Sequence, residues 1–338
     1  MQQLTFVKPG VLEWWDVPAP HLEGPQEALV RPLAVATCDL DGPIFRGETP
    51  FTGPFAFGHE FVAEVVEVGS EVAVVRPGQR VVVPFQISCG VCANCRRGLT
   101  AVCASVPRLA AYGMGGTWGG ALSDLVRVPF ADQMLVPVAE GIASATVASA
   151  SDNIPDAWRA VGPPLRENPG AEVLVLGGAG NGSIGLYAAA LAQALGAARV
   201  DYVDQNQSRL ELAQKLGATV KEGPPPRRLG PYPITVDASG DVAGLACALR
   251  STAPGGTCTS TAIYFAPETP IPLFHIYSVS EITYKTGRVQ ARPIIPAILH
   301  LVQEGRLHPE LVTTAQASWE DAIEALGNPV TKLVIVRN

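Results

Sequence analysis

Residues 172–204 read EVLVLGGAGNGSIGLYAAALAQALGAARVDYVD, and this stretch decides the architecture of half the chain. The apolar run EVLVLGG has the length of a buried strand, SIGLYAAALAQALGA has the composition and length of a helix, and ARVDYVD is a second strand. Between the first strand and the helix, Gly180-Asn181-Gly182-Ser183-Ile184-Gly185 forms a GxGxxG. Free backbone N–H groups and the helix dipole favour a pyrophosphate at such a junction. Asp204 closes the second strand about 20 residues on, where an acid accepts hydrogen bonds from the adenosine ribose hydroxyls and repels a 2'-phosphate. NAD rather than NADP is therefore the expected cofactor. The competing readings are a solvated strand-end carboxylate for Asp204 and a tight turn for the glycines.

Outward from this stretch the alternation continues: helix QSRLELAQKLGA, strand ITVDASG, helix DVAGLACALRST and strand TCTSTAI. Strands alternating with helices imply right-handed crossovers and a parallel, doubly wound sheet. The first 150 residues have a different texture, with short strands such as EALVRPLAVA, FVAEVVEVGSEV and QRVVVPF punctuated by Gly and Pro, as in a barrel. The tail carries helix IIPAILHLVQEG, helix SWEDAIEALG and strand TKLVIVR, and is expected to return to the first half.

Residues 89–103, CGVCANCRRGLTAVC, hold four of the seven cysteines. Disulfides and a metal compete for them. The N-terminus MQQLTFVKPG has no basic region followed by an apolar one, so nothing marks secretion and a cytoplasmic location is expected. Cys89, Cys92, Cys95 and Cys103 can instead converge on one tetrahedral zinc, at about 2.3 Å per sulfur. Four thiolates around a divalent ion leave a local charge of about minus two, which Arg96 and Arg97 would offset. Such a site is closed to substrate, so this zinc would be structural.

Composition narrows the partners. A chain of 338 residues with 47% hydrophobic content has material for two cores. A formal charge of -7 argues against nucleic acid or an anionic membrane surface, and no apolar run approaches the roughly 18 residues that span a bilayer. Small molecules remain as the expected ligands.

Gly58-His59-Glu60, then VVEVGSEV and PGQRVVVP, then the cysteine loop and the GxGxxG, together resemble the zinc-dependent medium-chain alcohol dehydrogenase family over essentially the whole chain. The resemblance implies a GroES-like barrel domain (1–152, carrying the zinc loop), a Rossmann domain (153–288) and a C-terminal segment (289–338) rejoining the first. It also implies a catalytic zinc in the cleft between domains and a homodimer or homotetramer. The positions matching the family's zinc ligands are Cys38, His59 and Asp152, a set of mixed charge that leaves a fourth site open. Asp41 matches the carboxylate that orients the ligand histidine, and Glu60 a position close behind the metal. Arg209 resembles a side chain that reaches the ribose, and Phe85 one that lines the substrate pocket.

The function so implied is NAD-dependent interconversion of an alcohol and a carbonyl, with two zincs per chain. Other readings are a zinc-free quinone or enoyl reductase using NADPH, and a non-catalytic binding protein on the same fold. Two departures stand out. Leu40 replaces the family's Ser or Thr that relays the substrate proton, leaving water with Asp39 or Glu60, or an exposed path to solvent, as alternatives, with Leu40 otherwise only shaping an apolar pocket. The glycine segment Gly177–Gly185 is also longer than usual, which could shift pyrophosphate contact to Gly177, Gly178 or Ala179.

Overall fold

The computed structural model describes residues 1–279, 281–328 and 330–337. Strand Val173–Leu176 is buried at all four positions, as a central parallel strand with helices on both faces must be. Its neighbours are Val200–Asp204 on one side and Tyr232–Asp237 on the other, both parallel to it. Thr219–Glu222 extends the sheet beyond the first neighbour, and Thr252–Ser260 followed by Thr283–Lys285 extends it beyond the second. Counted from Val173–Leu176 in chain order, the six parallel strands lie 3-2-1-4-5-6, the doubly wound nucleotide-binding arrangement. The order reverses beside Val173–Leu176, whose C-terminal end leads into the glycine segment.

The other half is antiparallel. Ala28–Ala36 lies in the middle of a seven-stranded sheet, paired with Glu60–Val68, Val126–Val128 and the late strand Leu333–Val336. Arg80–Val83 and Val136–Pro137 continue it on one side and Ala315–Ser318 on the other. A three-stranded sheet of Val11–Asp16, Gln2–Lys8 and Phe55–Ala56 contributes Leu4, Phe6 and Phe55 to the same core.

The chain divides into two compact units. One contains Met1–Pro155, Val289–Gly305 and the tail from Thr313; the other contains Asp156–Arg288 and Arg306–Val312.

Several elements differ from the sequence expectation, among them one helix, one strand start and one short helix. Helix Asn153–Glu167 is not among the expected elements and carries Pro163 and Pro164 inside it, which locally disfavour a helix. Buried Ile154, Ala157, Ala160, Val161 and Leu165 recur at helical spacing along it and outweigh that local cost. The strand expected from Thr257 begins at Thr252, and helix Leu273–Val279 carries an apolar pattern too short to identify from sequence.

Candidate metal centre and dinucleotide loop

Register alone brings the first ligands together. Ala36 faces Glu60 across the antiparallel pair, so Cys38, two residues past one strand, meets His59, one residue before the other. Asp152 arrives on the turn after the helical segment Ala148–Ser151, which is tied down where the Ser151 hydroxyl donates to the Val83 carbonyl. The result is a buried cluster in which one ligand atom each from Cys38, His59, Glu60 and Asp152 lies within 4.8 Å of the others. Cys38 Sγ is 3.4 Å from Asp152 Oδ2 and 3.3 Å from Asn153 Oδ1.

The protein by itself leaves this cluster short of partners. His59 Nε2 is 3.4 Å from Asp152 Oδ2, and Nδ1 is 3.7 Å from Asp41 Oδ1, both too long for good hydrogen bonds. Both ring nitrogens, Asp41 Oδ1 and Glu60 Oε1 are buried without a hydrogen-bond partner. Burial pushes the Cys38 thiol well above its ordinary value, and the carboxylates of Asp152, Glu60 and Asp41 push it further. Burial works against a charge on His59, yet Asp41, Asp152 and Glu60 outweigh it and raise its pKa to about 9. Orphaned donors and surplus negative charge in a dry pocket are what a divalent cation satisfies, and sulfur, nitrogen and carboxylate are zinc's donors.

The surrounding residues fix this arrangement. Asp41 Oδ2 accepts the backbone N–H of Cys38 at 2.7 Å, which leaves Oδ1 facing the imidazole. The Phe85 ring packs against His59 with centroids 5.6 Å apart. Leu40 is half-buried against the barrel core. Two neighbours escaped the sequence reading. Fully buried Lys332 donates to Glu60 Oε2 at 2.9 Å and to the Thr37 carbonyl. It reaches this place because Val334 pairs with Ala36. Its only sequence signal was a lysine opening the apolar run LVIV. Asn153, also fully buried, was hidden beside Asp152.

The four-cysteine loop closes on itself. No disulfide joins Cys89, Cys92, Cys95 or Cys103, and their sulfurs lie within 4.8 Å of one another. Cys92 and Cys103 Sγ are 4.0 Å apart, near the edge of about 3.8 Å that a tetrahedron with 2.3 Å zinc–sulfur bonds has. Backbone N–H groups of Cys92, Cys95 and Ala104 and the Ser105 hydroxyl point at these sulfurs. N–H donation from Cys95 and Ala104 lowers the Cys92 thiol to about 6, while burial raises Cys95 to about 12. Arg96 and Arg97 are exposed.

In the parallel-sheet unit, Gly177 to Gly182 join Val173–Leu176 to helix Ser183–Ala194. Gly182 precedes the helix at φ 84°, in the left-handed region open to glycine. A Cβ on Gly177 would lie 2.3 Å from the Tyr202 hydroxyl and 2.7 Å from Asp204 Oδ2, so the backbone passes directly over Asp204. Gly185 sits in the first helical turn, where a Cβ would meet Gly177, Tyr202 and Ala238 at 3.4–3.5 Å. That is the close helix-to-strand packing expected of a third glycine. Arg209 grips Asp204 with two hydrogen bonds of 2.7 Å.

Comparison with known proteins agrees with both halves. A model of the alcohol dehydrogenase GroES-like domain matches residues 24–140, and one of the zinc-binding dehydrogenases matches residues 183–304. A probable zinc-binding alcohol dehydrogenase of Mycobacterium tuberculosis is 32% identical over 312 residues, covering 90% of this chain and 79% of its own length. Glutathione-independent formaldehyde dehydrogenase of Pseudomonas aeruginosa is 34% identical over 235 residues, 65% of this chain and 58% of its own length. The structure of alcohol dehydrogenase TADH from Thermus sp. ATN1 superposes with a TM-score of 0.87 at 29% identity, over the whole of both chains. The chain belongs to the zinc-binding alcohol dehydrogenases of the medium-chain dehydrogenase/reductase family, with a GroES-like barrel and a Rossmann sheet, and is an oxidoreductase of alcohol-type substrates.

Proposed function

We propose that the protein is an NAD-dependent, zinc-dependent oxidoreductase interconverting a small-molecule alcohol and its carbonyl. The observation that carries this is the buried set Cys38, His59 and Asp152, with unpartnered imidazole nitrogens at its centre. When bound, zinc would polarise the substrate oxygen and nicotinamide would exchange the hydride. Cys38 and Asp152 supply two negative charges to match a divalent ion. Asp41 faces the second imidazole nitrogen and orients His59. Lys332 neutralises Glu60 and draws its Oε2 toward the carboxy-terminal strand, leaving three ligands and room for substrate. Phe85 shields the imidazole from water.

The second zinc belongs to the cysteine loop and is structural in this reading. The dinucleotide belongs on the segment Gly177 to Gly182, with Gly180, Gly182 and Gly185 shaping the turn and Asp204 at the ribose. A homodimer or homotetramer completes the proposal.

Metal analysis should find two zincs per chain, and a panel of alcohols offered with NAD and with NADP should show turnover. His59→Ala should lose one zinc and its turnover while keeping the second zinc. A single zinc per chain with full activity would sink the scheme.

A further inference from the structure

Asp237 is fully buried at the end of strand Tyr232–Asp237. Register sets it level with Leu176, the last residue of the central strand, and with Ser260, the last residue of Thr252–Ser260. Its Oδ1 accepts from the Ser239 hydroxyl at 2.6 Å and the Ser239 backbone N–H at 3.2 Å. Its Oδ2 accepts from the Ser260 hydroxyl at 2.7 Å and the Tyr264 hydroxyl at 2.8 Å. These donors fill the roughly four lone-pair sites of an ionised carboxylate and leave no oxygen to carry a proton. Burial raises the Asp237 pKa, and the donors from Ser239, Ser260 and Tyr264 oppose that rise.

Every one of these donors is neutral. Arg159, which donates to the Ser260 carbonyl at 3.1 Å, is already paired with Asp156. A buried carboxylate is ordinarily matched by a cation or a metal, yet among the described residues Asp237 forms no ion pair. The place of this charge gives it a partner. With adenosine at the end of Val200–Asp204 and the pyrophosphate on Gly177 to Gly182, the nicotinamide half runs the other way from the switch point. It then crosses the ends of Tyr232–Asp237 and Thr252–Ser260, the first of which is one strand spacing, about 4.8 Å, from the central strand.

We propose that Asp237 is the counter-charge of the oxidised nicotinamide ring and favours bound NAD+ over bound NADH, an inference that rests on the dinucleotide reading above. The ring carries one positive charge when oxidised and none once it has accepted a hydride from the substrate carbon. A fixed negative charge at the strand end therefore attracts one state and not the other. Ser239, Ser260 and Tyr264 hold that charge in place, so nothing has to reorganise when the ring changes charge. A full unit of charge acting at such short range through a partly shielded interior is worth about tenfold in relative affinity. NADH lacks the attraction and leaves more readily.

The test is calorimetric binding of NAD+, NADH and benzamide adenine dinucleotide, an analogue of NAD+ with an uncharged ring, to the zinc-loaded protein and its variants. In Asp237→Asn and in Asp237→Ser, NAD+ should weaken about tenfold relative to NADH, and its advantage over the analogue should shrink by about the same factor. Tyr264→Phe removes one donor and keeps the charge. It should move all three affinities together and leave their ratios within about twofold. Equal weakening of the three ligands in both charge-free variants would overturn the proposal, because Asp237 would then only shape the strand end. Equal binding of NAD+ and the analogue by the unaltered protein would overturn it as well, and that comparison stands even if neither charge-free variant folds. An unaltered protein that binds none of the three would overturn the dinucleotide reading itself, and this inference with it.

Discussion

Glu60 and Lys332 are both fully buried, and each answers the other's charge across 2.9 Å. Removing one member of such a pair strands the other in a medium that cannot solvate it. Lys332→Met should therefore cost about 3–5 kcal/mol of stability, measured by urea unfolding. Because the loss comes from stranding Glu60, the double variant Lys332→Met with Glu60→Gln should recover most of it, leaving a coupling that a double-mutant cycle reads directly. Equal losses in the single and double variants would show that Lys332 acts only through packing. Of the residues around this cluster, Cys38, His59 and Asp152 were legible because the family's order of motifs survives in the chain. Lys332 and Asn153 were not, because a lysine or asparagine gains its role from a partner 272 or 115 positions away, and no local pattern encodes that.

At the scale of the element, the loop Cys89–Cys103 gathers around its four sulfurs and is anchored where the Ala101 N–H donates to Gln290 Oε1 at 2.7 Å. Its only regular pieces are the helical turn Ala93–Arg96 and the short 3-10 turn Thr100–Val102, each far below the length at which a helix persists in water. A metal held by the four sulfurs would add ordering free energy, as in other small zinc folds. Cys95→Ser should lose one zinc per chain and open the loop to protease. A tenfold faster cleavage within residues 89–103 corresponds to about 1.4 kcal/mol of easier opening. The zinc at Cys38, His59 and Asp152 should stay. Limited proteolysis with metal analysis checks both parts, and loss of both zincs together would contradict two separate sites. The cysteine spacing made this element readable, whereas helix Asn153–Glu167 holds Pro163 and Pro164, whose local penalty is outweighed by burial of its apolar side chains.

For the whole molecule, zinc should act as a folding ligand at both sites. A free concentration about a hundredfold above Kd adds about 2.7 kcal/mol, so chelation should lower the melting temperature and added zinc should restore it. Loading at Cys38 must release the proton that burial and the neighbouring carboxylates hold on the thiol. Zinc affinity there should therefore fall as pH falls, which calorimetric titration across pH measures; affinity that rises on acidification would contradict the assignment of Cys38 as a ligand. The sequence by itself determined what is local or periodic: the alternating strands and helices of the parallel sheet, the glycine-rich turn, the four-cysteine loop and the identity of three candidate zinc ligands. Tertiary structure decided what depends on distant partners. Pairing of Val334 with Ala36 placed Lys332 against Glu60, and burial of Ile154, Ala157, Ala160, Val161 and Leu165 sustained a helix through two prolines. The grip of Arg209 turned Asp204 from a waiting ribose acceptor into a carboxylate already filled. Secondary structure follows from nearest-neighbour sterics and hydrophobic period, whereas hydrogen-bond saturation and charge balance follow from which groups the fold brings within about 3 Å of each other.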